Sequence, residues 1–361
     1  MKDLAHLQTP AFLVDRNIVE QNCARMREKA RASGVAFRPH VKTHKTIEIG
    51  RMQHGGGSGP ITVSTLAEAE FFAGAGFRDI TYAVPIAPDK LERAAALARR
   101  VERLNILIDS DAALQAIERS GFRFDVFLKV DCGYHRAGVD PDSDGSIVLA
   151  RKIAQSPAVR FNGILTHAGH SYDVRGLDEI RAVAHEEGAC LTRFREKLGM
   201  NVIRSVGSTP TMSVVDRVGN ADEMRPGNYV FYDAFQAAIE SCSRDDVAVS
   251  VLATVIGSYP DRGQAVLDSG ALALSKDLGR GPIDGKNSYG IVCDLELRPL
   301  PMRLVALSQE HGKVEAANPP PVGTKVRILP NHSCLTAAMF DVYHVIERNN
   351  VVAQWRPCRG W

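Results

Sequence analysis

Arg38-Pro-His-Val-Lys-Thr-His-Lys45 puts three cationic side chains and two imidazoles into one short stretch, directly after the apolar run Gly34-Val-Ala-Phe37. A solvated basic face does not select Pro39 or the β-branched Val41 and Thr43. These residues mark the end of a strand emerging from a core. Period-two alternation directs Arg38, His40, Lys42 and His44 to one face, and Pro39, Val41, Thr43 and Lys45 to the other. A lysine held at the end of a buried strand has a depressed pKa and can form a Schiff base with a carbonyl compound. On these residues alone a second reading stays open, a basic loop that binds an anion.

Working outward, strand-like apolar runs alternate with helical patterns through the first two-thirds of the chain. The expected strands are 36–41, 61–64, 80–84, 104–108, 125–130, 161–166, 202–206 and 228–231. Helical stretches lie between them at 66–75, 90–100, 111–118, 147–155 and 178–198. Strands alternating with helices imply βαβ units and a parallel sheet. Eight such units predict an α/β fold with a closed (β/α)8 barrel of roughly 200 to 250 residues. An open doubly wound sheet would carry a glycine-rich dinucleotide turn after its first strand, and Lys42 stands there instead. Gly55-Gly-Gly-Ser-Gly-Pro60 lacks the Lys-Ser/Thr ending of a phosphate loop and reads as a turn before the second strand. From about residue 240 the runs become short, β-rich and separated by turns, which predicts a mainly β second domain. The expected boundaries are 15–240 for the barrel, and 1–14 with 241–361 for the β domain.

Composition narrows the class. The chain has 361 residues, 45% of them hydrophobic and 24% charged, with a formal charge of +2. Those values are ordinary for a globular protein and give no case for nucleic-acid or membrane partners. No run approaches the roughly 18 apolar residues of a membrane span. The N-terminal stretch has no hydrophobic signal core, so a cytoplasmic location is expected. The cysteines number seven and show no framework of spacings, so they are expected to be mostly reduced thiols.

Barrels carry their chemistry at the C-terminal ends of the strands. The fifth expected strand ends in Asp131-Cys-Gly-Tyr-His-Arg-Ala-Gly138 and the sixth in Thr166-His-Ala-Gly-His-Ser-Tyr172. The seventh ends in Gly207-Ser-Thr-Pro-Thr211, and the eighth is entered through Met224-Arg-Pro-Gly-Asn-Tyr229. Gly207, Ser208 and Thr209 offer backbone N–H groups and hydroxyls suited to a phosphate. Farther on, His332 and Cys334 stand two apart in Pro330-Asn-His-Ser-Cys334, so an extended segment points both to one face. An imidazole and a thiolate are good zinc ligands, although two ligands do not close a tetrahedral site.

The stretch Arg38–Lys45, with further segments in chain order from Thr9-Pro10 to His332-Ser333-Cys334, resembles the D-threonine aldolase and eukaryotic-type D-serine dehydratase family. These are pyridoxal-phosphate (PLP) enzymes with the alanine-racemase-like fold, and the resemblance covers nearly the whole chain. It implies that Lys42 carries PLP and that Gly207, Ser208 and Thr209 form the phosphate loop, with Gly227 and Asn228 also donating. It implies Arg136 at the cofactor's phenolate, and His167, His170 and Tyr172 facing the cofactor. Arg225 takes the place of the pyridine-nitrogen partner, with Glu223 as the neighbouring alternative. His332 and Cys334 correspond to the metal ligands. Dehydratases of this type have His-x-Cys there, whereas the aldolases typically have aspartate at the cysteine's position. Thiolate favours Zn²⁺, while carboxylate suits Mn²⁺ or Mg²⁺. The implied activity is zinc-dependent dehydration of a 3-hydroxy-D-amino acid such as D-serine, giving a 2-oxo acid and ammonia. Retro-aldol cleavage of D-threonine or 3-hydroxy-D-aspartate, an alanine-type racemase and a non-catalytic PLP carrier are the alternatives. A homodimer is the implied assembly.

Overall fold

A computed structural model describes residues 2–278 and 287–361. The chain divides into two compact units, Cys23–Gly227 with Cys358–Trp361, and Met1–Asn22 with Asn228–Pro357.

The first unit is a parallel β-barrel. Its strands are Ala36–Phe37, Ile61–Val63, Asp79–Pro85, Arg103–Ile108, Phe124–Lys129, Val159–Leu165, Ile203–Val206 and Glu223–Met224. Each pairs in parallel with its chain neighbour from the second to the eighth, and the eighth pairs with the first, Glu223 opposite Ala36. The ring is closed by the very stretch that opened the sequence reading. His40 and Thr62 form an isolated parallel bridge. The Val41 N–H donates to the Thr62 carbonyl at 2.9 Å, and the Thr62 N–H to the Pro39 carbonyl at 2.9 Å. The regular first strand therefore spans only Ala36–Phe37, and residues 42–44 form a turn. The expected face alternation stops at this turn. His44 is wholly buried and lies 3.3 Å from the Gln53 side-chain oxygen, a packed structural histidine.

Helices follow the strands where caps allow them to start. Thr65 accepts from the Glu68 N–H ahead of Leu66–Gly74, and Ser110 from the Ala113 N–H ahead of Asp111–Ser120. Further long helices are Arg16–Ser33, Asp144–Gln155 and Leu177–Leu198, the last ending at left-handed Gly199. Leu107, Phe127 and Leu165 form a buried cluster across the fourth to sixth strands. A buried polar chain crosses the barrel as well. Arg38 binds Glu223 at 2.6 Å and Asp79 at 2.6 Å, and the Ser205 hydroxyl donates to Glu223 at 2.6 Å.

The eighth strand corrects the sequence reading. It is Glu223–Met224, whereas the expected strand over 228–231 is a 3₁₀ turn, Asn228–Val230. A two-residue strand has no readable alternation. The apolar run after it is buried for another reason: Phe231 packs on Phe12 at 6.0 Å and on Tyr343 at 6.3 Å in the second unit.

That second unit contains an antiparallel barrel. Val249–Tyr259, Gln264–Leu267, Gly312–Ala316, Pro299–Leu307, Gly290–Cys293 and Lys325–Pro330 pair in this order, and the last returns to the first. Ala11–Asp15 adds to Val249–Tyr259 in antiparallel register. Tyr343–Glu347 pairs in parallel with Ala11–Asp15, followed by Asn350–Trp355 and Lys2–Asp3. Among the described residues no helix is long and apolar enough to cross a membrane.

Candidate active site

At the strand ends of the parallel barrel, the closing stretch holds Lys42 as the exposed residue of a turn whose other two, Thr43 and His44, are buried. Lys45, the other lysine of the stretch, forms an ion pair with buried Glu68 at 2.9 Å. His40 lies between the closing bridge and the turn, with its ring 3.3 Å from the Ser64 hydroxyl. Burial, reinforced by Lys42, Arg225 and His167, pushes its pKa well below the usual 6.5. His167 is depressed in the same way by burial, then by Lys42 and Lys129. Its Nδ1 sits 3.0 Å from the Gly207 carbonyl, which can only accept, so Nδ1 carries the proton and Nε2 is the free acceptor. Burial and nearby Arg225 bring Lys129 down to about 8. Three cationic side chains, Lys42, Lys129 and Arg225, thus act on two neutral imidazoles.

Arg225 is buried and fully engaged. Its Nε donates to the Ser205 hydroxyl at 2.7 Å, and its Nη2 donates to the Thr166 and Ser205 carbonyls. Burial lowers its pKa to about 10, and it stays protonated. Glu223, the alternative at this place, is taken up by Arg38 and Ser205 two residues earlier on the same strand. Arg136 is exposed and lies over the Tyr134 ring at 4.9 Å. The Tyr134 ring in turn meets His167 edge-on at 6.1 Å. It also lies against Gly169, where a Cβ would come within 2.2 Å of it. His170 and Tyr172 fall on the short 3₁₀ turn Gly169–Tyr172, both half-buried.

The seventh strand ends in a turn shaped for backbone donors. Gly207 has φ +138°, and a Cβ there would meet the Arg225 nitrogen at 2.8 Å. Ser208 caps Thr209–Val214 in a capping box with Thr211. Ser208 and Thr209 are both buried, and the Ser208 hydroxyl is 2.8 Å from that of Ser171. Glu187, inside the long helix, underlies this turn. It accepts from the Ala168 N–H at 3.0 Å and the Gly207 N–H at 3.1 Å, and lies 3.3 Å from the Thr211 hydroxyl. At Gly227 a Cβ would collide with the His40 backbone oxygen at 2.9 Å, so its glycine character is set by close backbone approach.

In the second unit, His332 precedes the short helix Ser333–Ala338, which carries Cys334 in its first turn. His332 Nδ1 lies 2.7 Å from Asp277 Oδ2. Burial disfavours its charged form, but Asp277 and Cys334, both hydrogen-bonded to it, outweigh burial and raise its pKa. Asn228 belongs to this cluster. Its side-chain amide donates to Ser333 at 2.8 Å, Asp233 at 3.1 Å and the Cys334 sulfur at 3.4 Å. Among the described residues no three His, Cys, Asp or Glu side chains form a ready cluster for a metal ion. The donor set, one imidazole and one thiol, still suits zinc with further positions left to non-protein ligands.

Three residues around the site escaped the sequence reading. Lys129 could have been noticed, as a charge that ends a mostly apolar strand. Glu187 is one of several acids on an amphipathic helix, and Asp277 is far from His332 in sequence, so neither gave a local signal.

Residues 14–234 match the family described as alanine racemase, N-terminal domain, and residues 248–346 match a serine dehydratase domain. D-serine dehydratase of Dictyostelium discoideum is 40% identical, with 99% of this chain and 98% of that protein covered. D-threo-3-hydroxyaspartate dehydratase from Delftia sp. HT23 is 39% identical, and its structure superposes with a TM-score of 0.93 over 100% of both chains. A cysteine-to-alanine variant of that enzyme is known in a metal-free form. D-threonine aldolase from Filomicrobium marinum gives a TM-score of 0.84 at 28% identity, over 98% of this chain and 96% of that one.

Proposed function

This chain belongs to the D-serine dehydratase and D-threonine aldolase family of alanine-racemase-like, PLP-dependent lyases acting on D-amino acids, and on that premise we propose that it is a zinc-dependent 3-hydroxy-D-amino acid dehydratase. D-Serine, the simplest such substrate, would give pyruvate and ammonia. The observation that carries the reading is the His332–Cys334 pair, an imidazole hydrogen-bonded to a thiol. Identity of 29–40% to proteins named dehydratases, against 26–28% to those named aldolases, supports it.

The barrel residues fit PLP. The turn at Gly207, Ser208 and Thr209, with Gly227 beside it, would lie against the phosphate, its form held by Glu187 on the Gly207 N–H and by Thr211 on the Ser208 N–H. The surrounding cations suit an anionic cofactor. Bound through Lys42, PLP supplies an electron sink for charge developed at the substrate's α-carbon. The Lys42 amine, once exchanged for the substrate's, holds and moves the α-proton. Arg225, protonated at neutral pH with Glu223 and Glu187 opposing the effect of its burial, would stand at the pyridine nitrogen as a cation with no proton acceptor. His167 presents a neutral Nε2 to the same space, and Arg136 and Tyr172 complete the polar lining. His332 and Cys334 would hold Zn²⁺, whose Lewis acidity favours departure of the β-hydroxyl. The chain would act as a homodimer, which sedimentation of the PLP-loaded protein tests.

A second substrate reading rests on the 39% identity to D-threo-3-hydroxyaspartate dehydratase. One experiment addresses both. PLP- and zinc-loaded protein is given D-serine, D-threonine and D-threo-3-hydroxyaspartate, and the products are identified. A 2-oxo acid with ammonia is expected. Glycine with an aldehyde would replace the dehydratase by an aldolase, and no turnover of any of the three would leave the carrier reading.

A further inference from the structure

We infer that Asp277 is the positioning residue that fixes the His332 imidazole for metal capture, an inference that rests on the metal-pair reading above. The contact is direct, Asp277 Oδ2 to His332 Nδ1 at 2.7 Å. An ionised carboxylate can only accept, so the shared proton sits on Nδ1. With Nδ1 occupied by that proton, Nε2 is the ring nitrogen that a metal would take, in place of the proton there. Metal-ligating histidines commonly donate their other ring N–H to a carboxylate, which sets tautomer and ring orientation and raises ligand basicity.

Asp277 is itself held against the segment it orients. Thr336, one turn after His332, donates to the Leu274 carbonyl at 3.1 Å. Buried Asn331 donates to the Asp277 carbonyl at 3.4 Å and to the Ser288 carbonyl at 2.6 Å. Two bonds, besides the His332–Asp277 contact itself, thus staple the stretch from Leu274 to Asp277 onto residues 331–336. The thiol has a matching support: Asp233 accepts from the Ser333 N–H at 3.1 Å, and Asn228 donates to both Asp233 and Cys334. Each partner of the pair therefore has its own polar buttress, and the two come from different segments of the β unit.

Zinc affinity of the PLP-loaded protein decides the matter, measured by competition with a chromophoric chelator for wild type, Asp277→Ala, Asp277→Asn and Cys334→Ala. Asp277→Ala is expected to weaken zinc binding by roughly 10- to 100-fold, the usual cost of losing an outer-shell partner. Asp277→Asn keeps an oxygen that can accept from Nδ1 and should recover part of the loss. If Asp277→Ala does not fold, the asparagine variant alone should bind zinc measurably more weakly than wild type. Wild-type affinity in both Asp277 variants, with affinity lost in Cys334→Ala, would overturn the positioning role and leave the metal pair standing. Absence of zinc uptake by wild type would overturn the metal-pair reading itself.

Discussion

At the scale of single residues, similar side chains are separated by what they touch. Lys42 and Lys45 share one motif, yet Lys45 is committed to Glu68 while Lys42 is the exposed residue of its turn. Arg225 and Glu223 share one strand end, and Glu223 is committed to Arg38. The histidines differ likewise, and they set a pH dependence. His44 falls to about 3 and His54 to about 4, chiefly through burial, while His40 and His167 lie well below 6.5. A folded pKa below the unfolded value means that the unfolded chain binds more protons at acid pH. Stability from these groups is complete above about pH 6.5 and is lost as pH falls toward the folded values, at about 1.4 kcal/mol per unit for each fully titrating histidine. Urea midpoints of the holoprotein should therefore fall steeply between about pH 6.5 and pH 5, before the carboxylates titrate. A flat profile over that window would contradict buried neutral imidazoles.

At the scale of elements, the long helix Leu177–Leu198 does more than cover the sheet. Through Glu187 it ties the loop after the sixth strand to the turn after the seventh, accepting from Ala168 and Gly207 and meeting Thr211. Replacement by alanine leaves those buried donors unpaired, and each costs about 1–3 kcal/mol when stranded. Glu187→Ala is expected to lower stability by about 3 kcal/mol and to weaken PLP retention about tenfold, read by urea unfolding and by cofactor titration of the apoprotein. Glu187→Gln keeps an oxygen for the two N–H groups and should lose less of both. Unchanged cofactor affinity in the alanine variant would confine Glu187 to a purely structural part.

Across the whole molecule, the sequence is legible where an element is long enough to show its period. The second to seventh barrel strands match their apolar runs, as do the helices Leu66–Gly74, Asp111–Ser120 and Leu177–Leu198, whereas the 18-residue helix Arg16–Ser33, rich in charged residues, shows no such run. Glu223–Met224 is too short to show a period, and Asn228–Phe231 imitates a strand because Phe231 is buried against Phe12. Gly312–Ala316 has the alternating burial of a strand, but its sequence, Gly-Lys-Val-Glu-Ala, offers one branched apolar residue to announce it. Site residues were legible where they cluster locally, as in Arg38–Lys45 or His332–Cys334, and not where distant segments meet, as for Glu187 and Asp277. That division of the chain has a functional consequence. Lys42 and the phosphate turn belong to one unit and the metal pair to the other, so cofactor binding and metal dependence should separate in experiment. Dialysis against a chelator is expected to lower elimination from D-serine at least about a hundredfold, since Lewis-acid assistance is worth several kcal/mol. PLP absorbance should persist through the same treatment, and added Zn²⁺ should restore turnover. His332→Ala and Cys334→Ala should reproduce the chelated state without rescue. Cys334→Asp, with a harder donor, should shift the preferred metal toward Mn²⁺. Full elimination by chelated protein, or by either alanine variant, would remove the metal from the reaction and leave the barrel residues to expel the hydroxyl alone.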